Sequence, residues 1–110
     1  MARKKAIPDE VRAKVEHIVA DFNRETFKNS GIAYSVHYQG KYLYLKRNEY
    51  GDPSPICRLT YTGEMDAWKF AIYKYSADRF DPEEWFFPGT GEVDGTVTGA
   101  MRAGLQAYPV

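Results

Sequence analysis

The chain has 110 residues, 15 basic and 15 acidic, with one cysteine and no long apolar run. That length suits one domain with a modest core. The single cysteine excludes an intramolecular disulfide or a cysteine cluster around a metal, and the balanced charge gives no whole-domain attraction to nucleic acid or to an anionic membrane.

Residues 1–7 read as a short basic lead carrying Arg3, Lys4 and Lys5, expected to be frayed and solvated. A helix is predicted over 8–27. Pro8 suits a helix start, Asp9 and Glu10 place negative charge at the positive end of the dipole, and Val11, Val15, Ile18, Val19 and Phe22 form an apolar stripe at three- and four-residue spacing. Asn29-Ser30-Gly31 is expected to end it. Strands follow over 32–38 and 41–48, around a Gln39-Gly40 turn. That turn would pair Tyr38 with Lys41, Val36 with Leu43 and Tyr34 with Leu45 on the core face. His37 would then oppose Tyr42, and Ser35 would oppose Tyr44, on the other face. The stretch 49–55 holds Gly51, Pro53 and Pro55 and reads as a loop. A third strand is predicted over 56–62, with Cys57, Leu59 and Tyr61 alternating against Arg58, Thr60 and Thr62. A fourth over 67–76 has Trp68, Phe70 and Ile72 alternating against Lys69, Ala71 and Tyr73. Residues 78–91 read as irregular. The last element is a helix over 94–107, with Asp94 as its cap and Val97, Ala100, Met101, Gly104, Leu105 and Tyr108 on its apolar face. Its glycines weaken it in isolation, so it must be stabilised by docking.

Helix, four strands and helix imply an α+β fold of two layers, an antiparallel sheet of about four strands with an N-terminal and a C-terminal helix. Val15, Ile18, Phe22, Leu43, Leu59, Phe70, Met101 and Leu105 are the expected core. No apolar segment is long enough for a membrane span or a signal peptide, so no membrane partner is expected and a reducing cytoplasm is the simplest location.

Candidate chemistry is sparse. Asp78, Asp81, Glu83, Glu84, Glu92 and Asp94 crowd the stretch 78–94, but they match no calcium loop and read as solvated loop charge; a divalent-ion site serving a weak hydrolase is the rival. His17 and His37 form no spaced ligand pair. A Cys57–His37 nucleophile pair is disfavoured, because alternation buries Cys57. The segment from Pro88 to Gly99 is glycine-rich and leads into a helix, yet it lacks the lysine of a phosphate-binding loop, and Glu92 and Asp94 would repel phosphate; tight turns and close helix docking explain it better. No cofactor motif or catalytic constellation is present, so enzymatic activity is not expected.

The aromatic content is the unusual feature: nine Tyr, six Phe and two Trp. Tyr42, Tyr44, Tyr73 and Tyr75 alternate on two predicted strands, with Lys41, Lys46, Arg47, Lys69 and Lys74 nearby. Covering of these rings by the aromatic stretch 80–87 is the expected outcome, since a large exposed apolar patch is a liability. A protein-binding surface is the next reading. A single-strand nucleic-acid surface follows, with Tyr42, Tyr44, Tyr73 or Tyr75 stacking bases and Lys46, Arg47 and Lys74 on phosphates.

The segments YSVHYQGKYLYLKR, PICRLTYTG and DAWKFAIYKYSADRFDPE, followed by WFFPGTGEVDGTVTGAMRAGLQAYP, resemble a family of small bacterial proteins without an assigned activity. That resemblance implies no catalytic or binding residues. The element order also resembles the double-stranded RNA-binding domain, but EVDGTVTGAMR at the start of the last helix has two acids and no lysine, which argues against that function. A small cytoplasmic interaction or accessory domain is therefore the leading expectation, with protein as its partner. Trp68 is the largest expected core side chain of the fourth strand. Its replacement by Ala is expected to cost about 3–5 kcal/mol of stability in denaturant melts, and a melt superimposing on the parent would show that Trp68 lies outside the core.

Overall fold

The computed structural model describes residues 7–28 and 30–110. In chain order they form α1 (Asp9–Phe27), β1 (Ile32–Gln39), β2 (Tyr42–Glu49), β3 (Asp52–Thr60), β4 (Lys69–Lys74), β5 (Arg79–Asp81), a 3-10 turn (Thr90–Glu92) and α2 (Val97–Ala107). The fold is α+β in two layers, and its antiparallel sheet has five strands in the order β1-β2-β3-β4-β5. Both helices pack on one face, α1 against β1 and α2 against α1 and β3.

Most of the basic lead lies outside the described residues. Ile7 does not belong with it, since its side chain is fully buried in the core. Along α1, Val11, Val15, Val19 and Phe27 are buried, and Ile18 and Phe22 pack half-buried against them. Lys28 closes the helix in a left-handed conformation, so the helix ends ahead of the expected Asn29-Ser30-Gly31 stop; Asn29 itself lies outside the described residues. Near the end of α1, the Asn23 side chain bonds both main-chain groups of Tyr34. Its amide nitrogen donates to the Tyr34 carbonyl at 2.9 Å, and its oxygen accepts the Tyr34 N–H at 2.7 Å.

The first hairpin departs from the expected register. Its turn is Gly40-Lys41, and Tyr38 pairs with Leu43, Val36 with Leu45, Tyr34 with Arg47 and His37 with Tyr44. Gly40 takes φ +60°, as the first central residue of a type II′ turn does, which moves the turn by one residue and every partner by two. Because two residues complete one period of a strand, the faces are unchanged.

The expected loop 49–55 is instead a tight turn and half a strand. Tyr50 and Gly51, at φ +55° and +89°, make a two-residue connection with both central residues left-handed, and β3 begins at Asp52. Pro53 and Pro55 fit within it because β4 pairs only with Cys57–Thr60, so the first half of β3 has an open side where no N–H is needed. The Tyr75 hydroxyl donates to the Pro55 carbonyl on that side, at 2.9 Å. Between Leu45 and Lys46 the β2–β3 register shifts, leaving Ile56 as a bulge. Ile56 and Cys57 are both buried, so the bulge delivers two consecutive side chains to the core.

The stretch after β4 is not wholly irregular, since Arg79–Asp81 adds a fifth strand. The last helix begins at Val97, later than expected, and its cap is Thr96, whose hydroxyl oxygen accepts the Gly99 N–H at 2.9 Å. Asp94 acts one step earlier, accepting the Thr96 hydroxyl and N–H. Those bonds hold its carboxyl below the usual range. The expected reading of the glycine segment, tight turns and close docking, describes what is present. Gly95 has φ +88° and lies against the Asp66 carbonyl, where a Cβ would collide.

Trp68 is buried just ahead of β4, its ring 5.0 Å from that of Tyr61. Of the expected core, Val15, Leu43, Leu59, Phe70 and Met101 are buried, and Ile18, Phe22 and Leu105 pack partly buried on it. Gly104 marks the closest approach of α2 to the sheet. A Cβ there would stand 2.5 Å from both Ile56 Cγ2 and the Tyr34 hydroxyl. Helix propensity alone makes Gly→Ala favourable by roughly 1 kcal/mol. Gly104→Ala is nevertheless expected to destabilise by about 1–3 kcal/mol, because neither neighbour has room to yield. A urea melt checks the sign, and a stabilised variant would overturn this account of helix docking.

Candidate functional site

With both helices on one face, strand alternation sets what the other face displays. β2 contributes Tyr42, Tyr44 and Lys46, and β3 contributes Arg58 and Thr60 opposite Tyr44 and Tyr42. β4 contributes Lys69, Ala71 and Tyr73, and β5 contributes Phe80 opposite Tyr73. β1 adds Ser35 and His37.

The rings on this face form one connected cluster. Tyr42 and Tyr44 stand 6.2 Å apart, Tyr44 lies 5.3 Å from Phe80, and Phe80 lies 5.0 Å from Tyr73. Tyr44 also stands 6.1 Å from the His37 ring. Arg58 sits at the centre, its guanidinium 4.7 Å from the Tyr42 ring and 5.7 Å from that of Phe80. Such cation–ring contacts hold the guanidinium without using its N–H donors, and the Nε of Arg58 has no hydrogen-bond partner. Its neighbour across the ladder is Ala71, which adds no bulk. Lys41, in the first turn, extends over Tyr42 at 5.7 Å. The Tyr73 hydroxyl donates to Asp78, and that bond pushes its pKa up to about 12.

The expected cover does not form. Phe87 stacks on Phe70, and Trp85 packs 6.4 Å from it, on the helix-bearing side. Phe86 is 96% exposed. Only Phe80 reaches the tyrosine face, and it joins the cluster from a strand.

Of the seven residues singled out for a binding surface, Tyr42, Tyr44, Lys46 and Tyr73 share this face. Tyr75 is at its rim, 4.8 Å from Tyr73 and 5.2 Å from Tyr108 at the end of α2. Arg47 and Lys74 are elsewhere. Arg47 has the parity of Leu43 and Leu45, is only 3% exposed on the helix side, and pairs with Glu49 at 3.0 Å. Lys74 has the parity of Phe70 and Ile72, and its ammonium lies 3.5 Å from Glu84 and 3.8 Å from Asp81. Both cations therefore face carboxylates on the side of the sheet away from the ring cluster. The residues missed as a central pair are Arg58 and Phe80. Alternation with Cys57 and Leu59 was enough to place Arg58 outward, whereas Phe80 stands in a strand too short to show a period.

The acidic stretch is divided among separate partners, with Asp81 and Glu84 meeting on the Lys74 ammonium. Asp78 accepts from Tyr73, Asp81 pairs with Arg79 and Lys74, Glu84 with Lys74, Glu92 with Gln106, and Asp94 with Thr96. Among the described residues no group of three or more His, Cys, Asp or Glu side chains is placed to hold a metal ion. Nor is any described helix long and apolar enough to cross a membrane. Cys57 is fully buried on the helix face, while His37 is on the opposite face, so the two form no nucleophile pair. Burial raises the Cys57 thiol far above its ordinary range. The thiol is therefore expected to resist a disulfide-exchange reagent at mildly alkaline pH in the folded protein and to react in urea. Rapid reaction of the folded chain would contradict the burial. No family model, curated protein or solved structure matches this chain.

Proposed function

We propose that the helix-free face of the sheet binds single-stranded nucleic acid, by stacking bases on Tyr42, Tyr44 and Phe80 and holding phosphates with Arg58, Lys41, Lys46 and Lys69. The observation that carries this reading is the position of Arg58, a guanidinium kept against two rings in the middle of a sheet face that neither helix covers. Aromatic platforms interleaved with cations suit an unpaired strand, because each base has a face to stack and each phosphate a charge to meet. A duplex hides its base faces and offers no such match. The balanced total charge does not oppose this, since Arg58, Lys41, Lys46 and Lys69 gather on or beside this face, where Asp78 bonds the Tyr73 hydroxyl.

A protein-binding role has its own location. Phe86 is exposed on the other side of the molecule, beside a cleft bordered by Phe87, Pro88 and Tyr108. The two readings separate by salt and by site.

Fluorescence anisotropy with labelled oligothymidylate and oligouridylate tests the first. For three to four phosphate contacts, log affinity should fall against log salt with a slope of about −2 to −3. Tyr42→Ala and Arg58→Ala should each weaken binding by roughly 5- to 100-fold, as loss of one stacking or charge contact implies. Phe86→Ala should leave binding unchanged. Absence of binding at low salt, or a loss on Phe86→Ala equal to that on Tyr42→Ala, would sink the nucleic-acid reading.

A further inference from the structure

The helix-free face is not flat. Beside the ring cluster is a cleft of about 420 Å³, within the size range of small-molecule sites. Tyr44, Tyr73 and Phe80 contribute its rings, and His37, Lys46, Pro53 and Pro55 also line it. It lies beside the bulge at Ile56, where the β2–β3 register shifts between Leu45 and Lys46. On the open side of β3 the pairing with β4 has ended, so no neighbouring strand fills the space.

The lining has the parts needed to hold one planar, polar-edged ring. The Tyr73 phenol is tied to Asp78, and its ring is braced edge-to-face by Tyr75 and Phe80. Tyr44 is braced by both Phe80 and His37. The two proline rings are stiff and lack N–H donors. Polar character comes from His37 and Gln39, which can meet the donor and acceptor edge of a base. Lys46 is exposed and has no carboxylate partner among the described residues, which leaves its charge for a phosphate.

We propose that this cleft is a socket for one unstacked base of a bound strand, with the adjoining phosphate on Lys46. The strand then continues across the sheet to Arg58 and Tyr42, so the face takes a footprint of few nucleotides, with one base treated differently from the others. This rests on the reading of the face as a single-strand binder, and the test separates the two.

The full chain is titrated with adenosine monophosphate and with thymidine monophosphate, followed by amide and aromatic side-chain shifts. Ribose 5-phosphate serves as the base-free arm, and a short oligothymidylate is run in parallel. Expected are saturable shifts at His37, Gln39, Tyr44, Lys46 and Tyr73 with either mononucleotide. Ribose 5-phosphate should move Lys46 but not the Tyr44 and Tyr73 rings. Tyr44→Ala should weaken mononucleotide binding about tenfold, the scale of one base–aromatic stack. Lys46→Glu changes an exposed side chain, leaves the rings in place, and should weaken both mononucleotide and oligonucleotide. If the oligonucleotide binds and the mononucleotides leave the cleft unmoved, or move its rings no more than ribose 5-phosphate does, the socket is overturned while the single-strand reading stands. If neither oligonucleotide nor mononucleotide binds, both are overturned.

Discussion

Tyr34 connects the sheet to both helices. Its main chain is clasped by Asn23 of α1, and its ring packs 5.8 Å from Phe22 and 6.0 Å from Phe27. Its hydroxyl crosses the core to donate to the Met101 carbonyl of α2 at 2.8 Å, where Gly104 leaves it room. Burial lifts the phenol well above its ordinary range, so it stays a neutral donor. Both helices are thereby drawn to the side of β1 on which Tyr34 projects. The opposite face is bare because of this. The proposed binding surface is the complement of the helix packing, and a helix docked on the other side would remove it.

The same arrangement explains the buried guanidinium. Arg47 is directly opposite Tyr34 in the ladder, so any side chain there is carried under the helices. Glu49 offsets part of the charge, and one terminal nitrogen of Arg47 has no partner. An unmet buried donor costs about 1–3 kcal/mol when neutral, and more when it belongs to a charged group such as this guanidinium.

Much of this architecture was legible from periodicity. The stripe of α1, the alternation in β1 and β2, and the small-residue face of α2 each state an orientation that packing then obeys. The faces survived even a mistaken turn, since a one-residue error at Gln39-Gly40 displaces partners by a whole strand period. Composition and parity disagree at Arg47 and Lys74. Their charge places them with the tyrosines, whereas their parity is that of Leu43 and Leu45, and of Phe70 and Ile72, which point inward. Prolines at 53 and 55 read as a loop because local rules do not know which side of a strand lacks a neighbour. Phe80 was out of reach for a different reason, since three residues carry no measurable period. For the same reason the aromatic stretch after β4 looked like a cover, when its members divide between the two faces.

The unpaired half of β3 has a consequence beyond its own stability. An open run of main-chain donors and acceptors is a template onto which another chain can add a strand, and such growth is how sheets aggregate. Pro53 and Pro55 interrupt that run because neither has a proton to offer, and the Tyr75 hydroxyl already occupies the Pro55 carbonyl. At the other end of the sheet, Asn23 satisfies both main-chain groups of Tyr34 on the outer side of β1. Missing donors interrupt the open half of β3, and on β1 a side chain takes the place of a strand at Tyr34. Strand addition is hindered along these two stretches, which favours contacts across the bare aromatic face there over contacts along the ladder.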